Sequence, residues 1–351
     1  MHPAGSRQFV RSFRLRKEIN MNGFKGIIGN DLIKEQLKTA IRTKAIRHAY
    51  MLTGDKGMGK KTMTEAFLLE LFCEETDESK RPCLSCPECK KILSGNHPDV
   101  IYINHEKPGS ISVDEIREQL MDTAQIKPYE GKYKVYVIPE ADKMTIQAQN
   151  AVLKTLEEPP AHVIILLLVN DDRKLLDTVR SRVIKENLRP LTDTAVREYL
   201  VENFGASGEL LDICVAFSKG NLGRAIALYE SETFSDWYQR LMKILRNLRG
   251  MDSTELRVEL GKLQSECPDL TEALDLLELW YRDLTMFMVT KDLNAVVFKG
   301  ERKALMNMAS VSSYNGVQDA MEAIDICRDR LRANVNPELS LELLFLRMKE
   351  A

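Results

Sequence analysis

From Met21 to about Pro190 the hydrophobic pattern switches repeatedly between two periods. Over Asp31–Arg42 the apolar residues recur three and four positions apart, as on one face of an amphipathic helix, and Lys61–Leu71 reads the same way. Between these lies Tyr50–Thr53, a short apolar run of strand length, and Val100–Ile103, Lys134–Ile138 and Val163–Val169 are three more. Runs without polar alternation, separated by helices, are what a parallel sheet covered on both faces requires. A further helix is predicted over Thr145–Glu157, stopped by Pro159 and Pro160, which remove two backbone donors. After Leu191 the strand pattern ends. Thr192–Phe204, Ser207–Phe217 and Leu222–Glu230 predict three short helices, and Phe234–Lys349 longer amphipathic ones punctuated by Pro268 and Pro337.

Composition narrows the functional classes. A chain of 351 residues has room for two or three domains. Its 50 Lys and Arg against 52 Asp and Glu give a net charge of −2, which excludes a bulk basic field. Nucleic-acid contact would have to come from a local patch or from partner chains. The longest uncharged apolar run, Val163–Val169, is far shorter than a membrane span of about 20 residues. Residues 1–20 carry Arg7, Arg11, Arg14, Arg16 and Lys17 but no apolar core of a secretory signal. They are expected to be a disordered extension or the product of a start codon misread upstream of Met21, with an Arg-rich organellar presequence as the alternative.

Gly54-Asp-Lys-Gly-Met-Gly-Lys-Lys-Thr62 follows one strand and opens a helix, the setting of a phosphate-binding loop. Gly54, Gly59 and Lys60 supply the GxxxxGK part; a glycine turn with no ligand is the alternative. The next position calls for a magnesium-binding hydroxyl, and an ammonium, Lys61, stands there instead. Thr62 brings a hydroxyl one position late. The strand Lys134–Ile138 is expected to end in a magnesium-binding Asp but continues Pro139-Glu140-Ala141-Asp142. Glu140 stands where a water-activating base belongs, with no metal to work against. Two losses at one ion predict a site without ATPase chemistry.

Four of the seven cysteines, Cys73, Cys83, Cys86 and Cys89, are spaced C-x9-C-x2-C-x2-C just after the loop's helix. In a reducing cytoplasm that pattern predicts a structural zinc closed by four thiolates, with no open position for catalysis. Cys214, Cys267 and Cys327 lie among apolar helical residues and are expected to be buried. His97, in His97-Pro98-Asp99, is expected to end a loop before a strand.

Taken in order, the zinc-bearing loop, His97-Pro98-Asp99-Val100, Pro139–Met144, Asn150-Ala-Val-Leu-Lys-Thr-Leu-Glu-Glu-Pro-Pro160 and Ser181-Arg182-Val183 resemble the clamp-loader branch of the AAA+ family. That branch comprises the gamma/tau and delta-prime subunits of bacterial DNA polymerase III. The resemblance implies an α/β AAA+ domain with a parallel sheet over residues 21–190, carrying a zinc module at about 73–95. A small helical lid over 191–232 and an all-α collar over 233–351 would follow. It implies a ring with gamma/tau and delta partners that places a sliding clamp on primed DNA, in the cytoplasm, without membrane contact. Arg182 resembles the arginine finger that reaches a neighbour's nucleotide, a surface ion pair being the alternative. Asn170 resembles sensor 1. Gly220–Ala225 resembles the sensor 2 region with Arg224 one place off, and Asn334-Val-Asn-Pro337 resembles the collar. The loop defects favour the delta-prime type, which contributes to a polymerase complex without hydrolysing ATP. An ATP-hydrolysing gamma/tau-type subunit is the alternative, and a zinc-ribbon nucleic-acid binder is disfavoured by the charge.

Overall fold

The apolar runs become strands of one sheet in the computed structural model, which describes residues 20–104 and 109–350. The basic extension expected before Asn20 lies outside the described residues. Strands β1 (Ala49–Thr53), β3 (Lys134–Ile138) and β4 (Val163–Val169) are buried at every position. β2 (Val100–Tyr102) forms one edge and β5 (Ile184–Asn187) the other, in the order β2-β3-β4-β1-β5 with every pairing parallel.

Successive side chains leave a strand on opposite faces, and both faces here meet apolar partners. Met51, Tyr136, Ile138, Ile165, Leu167 and Val169 join Ala148, Val152 and Leu156 in one core. Tyr50, Leu52, Val135, Val137, Ile164 and Leu166 join Ile33, Leu37, Met63 and Phe67 in the other. The covering helices are α1 (Asp31–Arg42), α2 (Lys60–Phe72), α3 (Pro87–Ser94) and α4 (Ile146–Glu157). Each buried aliphatic side chain contributes roughly 1.5–3 kcal/mol by leaving water, which is why the central strands are uninterrupted apolar sequence. Thr145 caps α4, its Oγ1 accepting from the Ala148 N–H at 3.2 Å. The helix ends at Glu157, because the residue before a proline is pushed out of helical geometry.

Elements that go beyond the sequence pattern include β5, α3, and a helical stretch over 113–124 whose middle, Arg117–Met121, winds as a π-helix. β5 reads Ile-Lys-Glu-Asn and buries only Glu186. An edge strand has one neighbour and needs no apolar run to hold it, so no hydrophobic signal announces it.

The chain divides into two compact units at Leu191/Thr192. Among the described residues of the second unit regular structure is helical: α5 (Asp193–Phe204), α6 (Gly208–Ser218), α7 (Leu222–Glu230), α8 (Glu232–Asn247), α9 (Ser253–Glu266), α10 (Leu270–Thr290), α11 (Arg302–Val311), α12 (Tyr314–Arg332) and α13 (Pro337–Glu350). Its core holds Trp237 and Trp280, 1% and 0% exposed. Trp237 meets Phe234 edge-on at 5.0 Å, and the Trp280 indole N–H points at Met308 Sδ, 3.3 Å away. Cys214, Cys267 and Cys327 are buried here.

Candidate functional site

Parallel strands place all their carboxyl ends at one edge of the sheet, and a crevice there is where such folds bind ligands. Gly54 follows β1, Pro139 follows β3 and Asn170 follows β4, so the three sequence-predicted segments meet at that edge. In the loop Gly57 and Gly59 sit at φ 95° and 90°, a region that disfavours side chains, and Gly59 leads into α2.

The loop's lysine is occupied within the protein. Lys60 Nζ donates to the Gly54 carbonyl, to the Asp55 carbonyl at 3.0 Å and to Asn170 Oδ1 at 2.9 Å. Burial lowers the Lys60 pKa, with Asp142, Asp55 and Glu140 pulling the other way. Asn170 is held in turn: Asp142 Oδ1 accepts from its backbone N–H at 2.9 Å and from its side-chain amide at 3.4 Å. A chain of bonds therefore runs from the end of β3 across β4 to the loop. Lys61 is exposed on α2. Glu140 sits in left-handed backbone, φ 49°, and pairs with Lys143 at 2.8 Å.

Arg182 stands at the other end of the sheet. It follows the short helix Asp177–Arg180 and precedes β5, whose Ile184 pairs with Tyr50 near the start of β1. A cleft of about 410 Å³ beside it is lined by Arg47, His48, Ala49, Glu157, Arg182 and Ile184, among others. At a rise of about 3.3 Å per residue, β1 alone separates the level of Ala49 from that of Thr53 by roughly 13 Å. Arg182 Nη2 lies 2.8 Å from Glu157 Oε1, and Nη1 donates to the Thr178 carbonyl at 2.9 Å. The ion pair weighed as an alternative in the sequence is thus present.

Sequence reasoning missed Gln149, which positions this turn. Its amide, 3% exposed, donates to the carbonyls of Met144 at 3.0 Å and Lys174 at 3.2 Å. Its oxygen accepts from the Leu176 N–H at 2.7 Å. A polar residue on the inward face of an amphipathic helix was the available signal.

Cys73, Cys83, Cys86 and Cys89 converge, their sulfurs all within 4.8 Å of one another. Sulfurs about 2.3 Å from one zinc lie some 3.8 Å apart, a spacing compatible with this cluster. The local backbone favours a thiolate at Cys83: the N–H groups of Ser85 and Cys86 bring its thiol down to about 6. Burial pushes Cys73 and Cys89 up, which a metal in place of their protons would offset. Cys86 also caps α3, its sulfur 3.4 Å from the Cys89 N–H. His97 ties this module to the sheet: Nε2 lies 2.8 Å from Glu88 Oε2, and Nδ1 accepts from the Asp99 N–H at 3.1 Å.

In the second unit, Arg224 is engaged locally. Its guanidinium lies 4.4 Å over the Phe217 ring and 3.6 Å from Asp275. Asn336 caps α13, its Oδ1 accepting from the Leu339 N–H at 3.1 Å. No helix among the described residues is long and apolar enough to cross a membrane.

The family described as DNA polymerase III, delta subunit matches residues 29–192. DNA polymerase III subunit delta' of Bacillus subtilis is 27% identical over 91% of this chain and 95% of its own length. Subunit tau of the same organism is 28% identical over 86% of this chain, which spans 56% of that longer protein. A gamma subunit-related protein of Thermotoga maritima superposes with a TM-score of 0.45 at 20% identity, covering 90% of this chain and 99% of that one.

Proposed function

The chain is a homologue of the DNA polymerase III subunits delta' and tau, and from that premise we propose that it is a delta-prime-type clamp-loader subunit. It takes a place beside gamma/tau and delta subunits in the cytoplasm, helps set a sliding clamp on primed DNA, and hydrolyses no ATP itself. Residues 191–232 serve as the lid and 233–351 as the collar that holds the ring, while a zinc bound by Cys73, Cys83, Cys86 and Cys89 supplies folding energy to its own module. Arg182 acts on the nucleotide of the neighbouring subunit.

One observation carries this reading: the loop Gly54–Thr62 and Arg182 stand at opposite ends of the sheet. A guanidinium placed there cannot serve its own loop, whereas a planar fork on the outer surface suits a phosphoryl group presented by another subunit. The loop end supports the same division of labour, since Pro139 offers no carboxylate, Lys61 no hydroxyl, and Lys60 is bonded to Asn170.

Two assays test it. The purified chain should release no phosphate from ATP above background; turnover at about 1 per second or faster, as in working phosphoryl-transfer enzymes, would return it to the gamma/tau type. In a complex assembled with gamma/tau-type and delta-type partners, Arg182→Ala should lower the DNA-stimulated ATPase and clamp loading without loss of assembly. Fingers of this kind contribute roughly 10³–10⁵ at the site they serve, so the complex should lose that one site's share. Arg182→Lys should recover little, because a point charge lacks the fork.

A further inference from the structure

We infer that Glu157 is a positioning residue for Arg182, a parking place that occupies the guanidinium until a neighbour's phosphate displaces the carboxylate. The inference rests on the proposed role of Arg182 in trans and adds to it how that role is held in check.

Both outer nitrogens of Arg182 are engaged inside its own chain. Nη2 faces Glu157 Oε1 at 2.8 Å, and Nη1 donates to the Thr178 carbonyl at 2.9 Å, with Ser181 Oγ at 3.4 Å. In this posture an N–H on each outer nitrogen is committed within the chain, and an incoming phosphate must compete for them. Carboxylate and phosphate compete for the same donors, since each accepts the two parallel N–H bonds that a guanidinium offers. The pair is also built to be displaced. Arg182 and Glu157 side chains keep 36% and 49% of their exposure, so water and salt weaken the attraction and little stability depends on it. A buried pair would cost several kcal/mol to open and could not work as a release.

Placement supports the role. Glu157 is the last residue of α4, fixed there by Pro159 and Pro160, and Arg182 follows a turn pinned by Gln149 at Leu176. Both partners are therefore anchored by backbone while their tips remain at the surface. The cleft of about 410 Å³ alongside, with Arg47 and His48 on its wall, gives the guanidinium room to swing out.

The experiment compares complexes assembled with gamma/tau-type and delta-type partners that differ only at these two positions. ATPase is measured with and without clamp and primed DNA. An exposed pair holds its cation by about 1.5- to 5-fold. Glu157→Gln should therefore raise the unstimulated rate, and lower the ratio of stimulated to unstimulated rate, by that factor. Glu157→Asp, which keeps the charge, should recover most of the ratio, and the double variant Glu157→Gln/Arg182→Ala should behave as Arg182→Ala alone. A purely structural Glu157 would shift thermal unfolding instead and leave the ratio as it was. An unchanged ratio in Glu157→Gln, with Arg182→Ala still impaired, overturns the parking role and spares the finger. Undiminished ATPase in Arg182→Ala overturns the finger and the parking role together.

Discussion

Asp99 is fully buried, and its carboxylate accepts from the N–H groups of Tyr129, Glu130 and Gly131 at 2.6, 2.9 and 2.8 Å. Burial alone would raise its pKa; the three N–H groups, from Gly131, Glu130 and Tyr129, outweigh burial and hold it below the ordinary carboxylate range. A depressed folded pKa means the unfolded chain takes up its proton first as pH falls. The stabilisation is therefore complete above the unfolded value, about 3.9, and disappears as pH drops through the folded one. Asp99→Asn should cost roughly 2–4 kcal/mol near pH 7, the range for hydrogen bonds to a charged group with buried donors left short. The gap in urea midpoint between parent and variant should hold from pH 7 to 5 and shrink below about pH 4; a gap that widens in acid would refute the assignment. The motif His97-Pro98-Asp99 was visible in the sequence. Its partners, some thirty residues downstream in a polar turn, were not, because a bond made to backbone leaves no mark in residue identity.

Elements were legible in proportion to how much apolar surface they bury. β3 and β4 lie where their hydrophobic runs predicted, and Asp31–Arg42 is helical over the expected span. β5 escaped because its neighbour on one side is solvent, and α3 because its eight residues bury only Cys89 and Ile92, too few for an apolar stripe. The same logic predicts what α3 depends on. Its cap is a sulfur, and Glu88 and Lys91 on its surface reach His97 and Glu130. Metal analysis of the purified chain should give one zinc per molecule. Chelation should raise hydrogen exchange over 73–99 and, through Glu88–His97 and Lys91–Glu130, in the turn at 129–131. Exchange in β1 and β4 should remain slow, since their hydrogen bonds lie inside the sheet. Uniform loss of protection across the sheet would show that the metal holds the whole unit and not the module alone.

At the scale of the whole molecule, the two units draw on different cohesion. The first stacks helices on a parallel sheet and carries the four-cysteine cluster; the second is helical and encloses its large aromatic rings. Trp237 and Trp280 are the only tryptophans in the sequence, and both lie in that second core, the one against Phe234 and the other against Phe298 at 5.3 Å. Intrinsic fluorescence of this chain is consequently a single-unit signal. Excited at the tryptophan edge, the protein reports the fate of residues 192–351 and is blind to the sheet. Chelator should leave emission wavelength and intensity unchanged while exchange over 73–99 accelerates, and a red shift on zinc removal would contradict that separation. Urea titrations followed by emission and by far-ultraviolet circular dichroism should then trace different events: the first the exposure of two indoles, the second the loss of helix in both halves. Two coincident curves would indicate joint melting, and two displaced ones would turn a pair of buried rings into a built-in gauge of which half yields first.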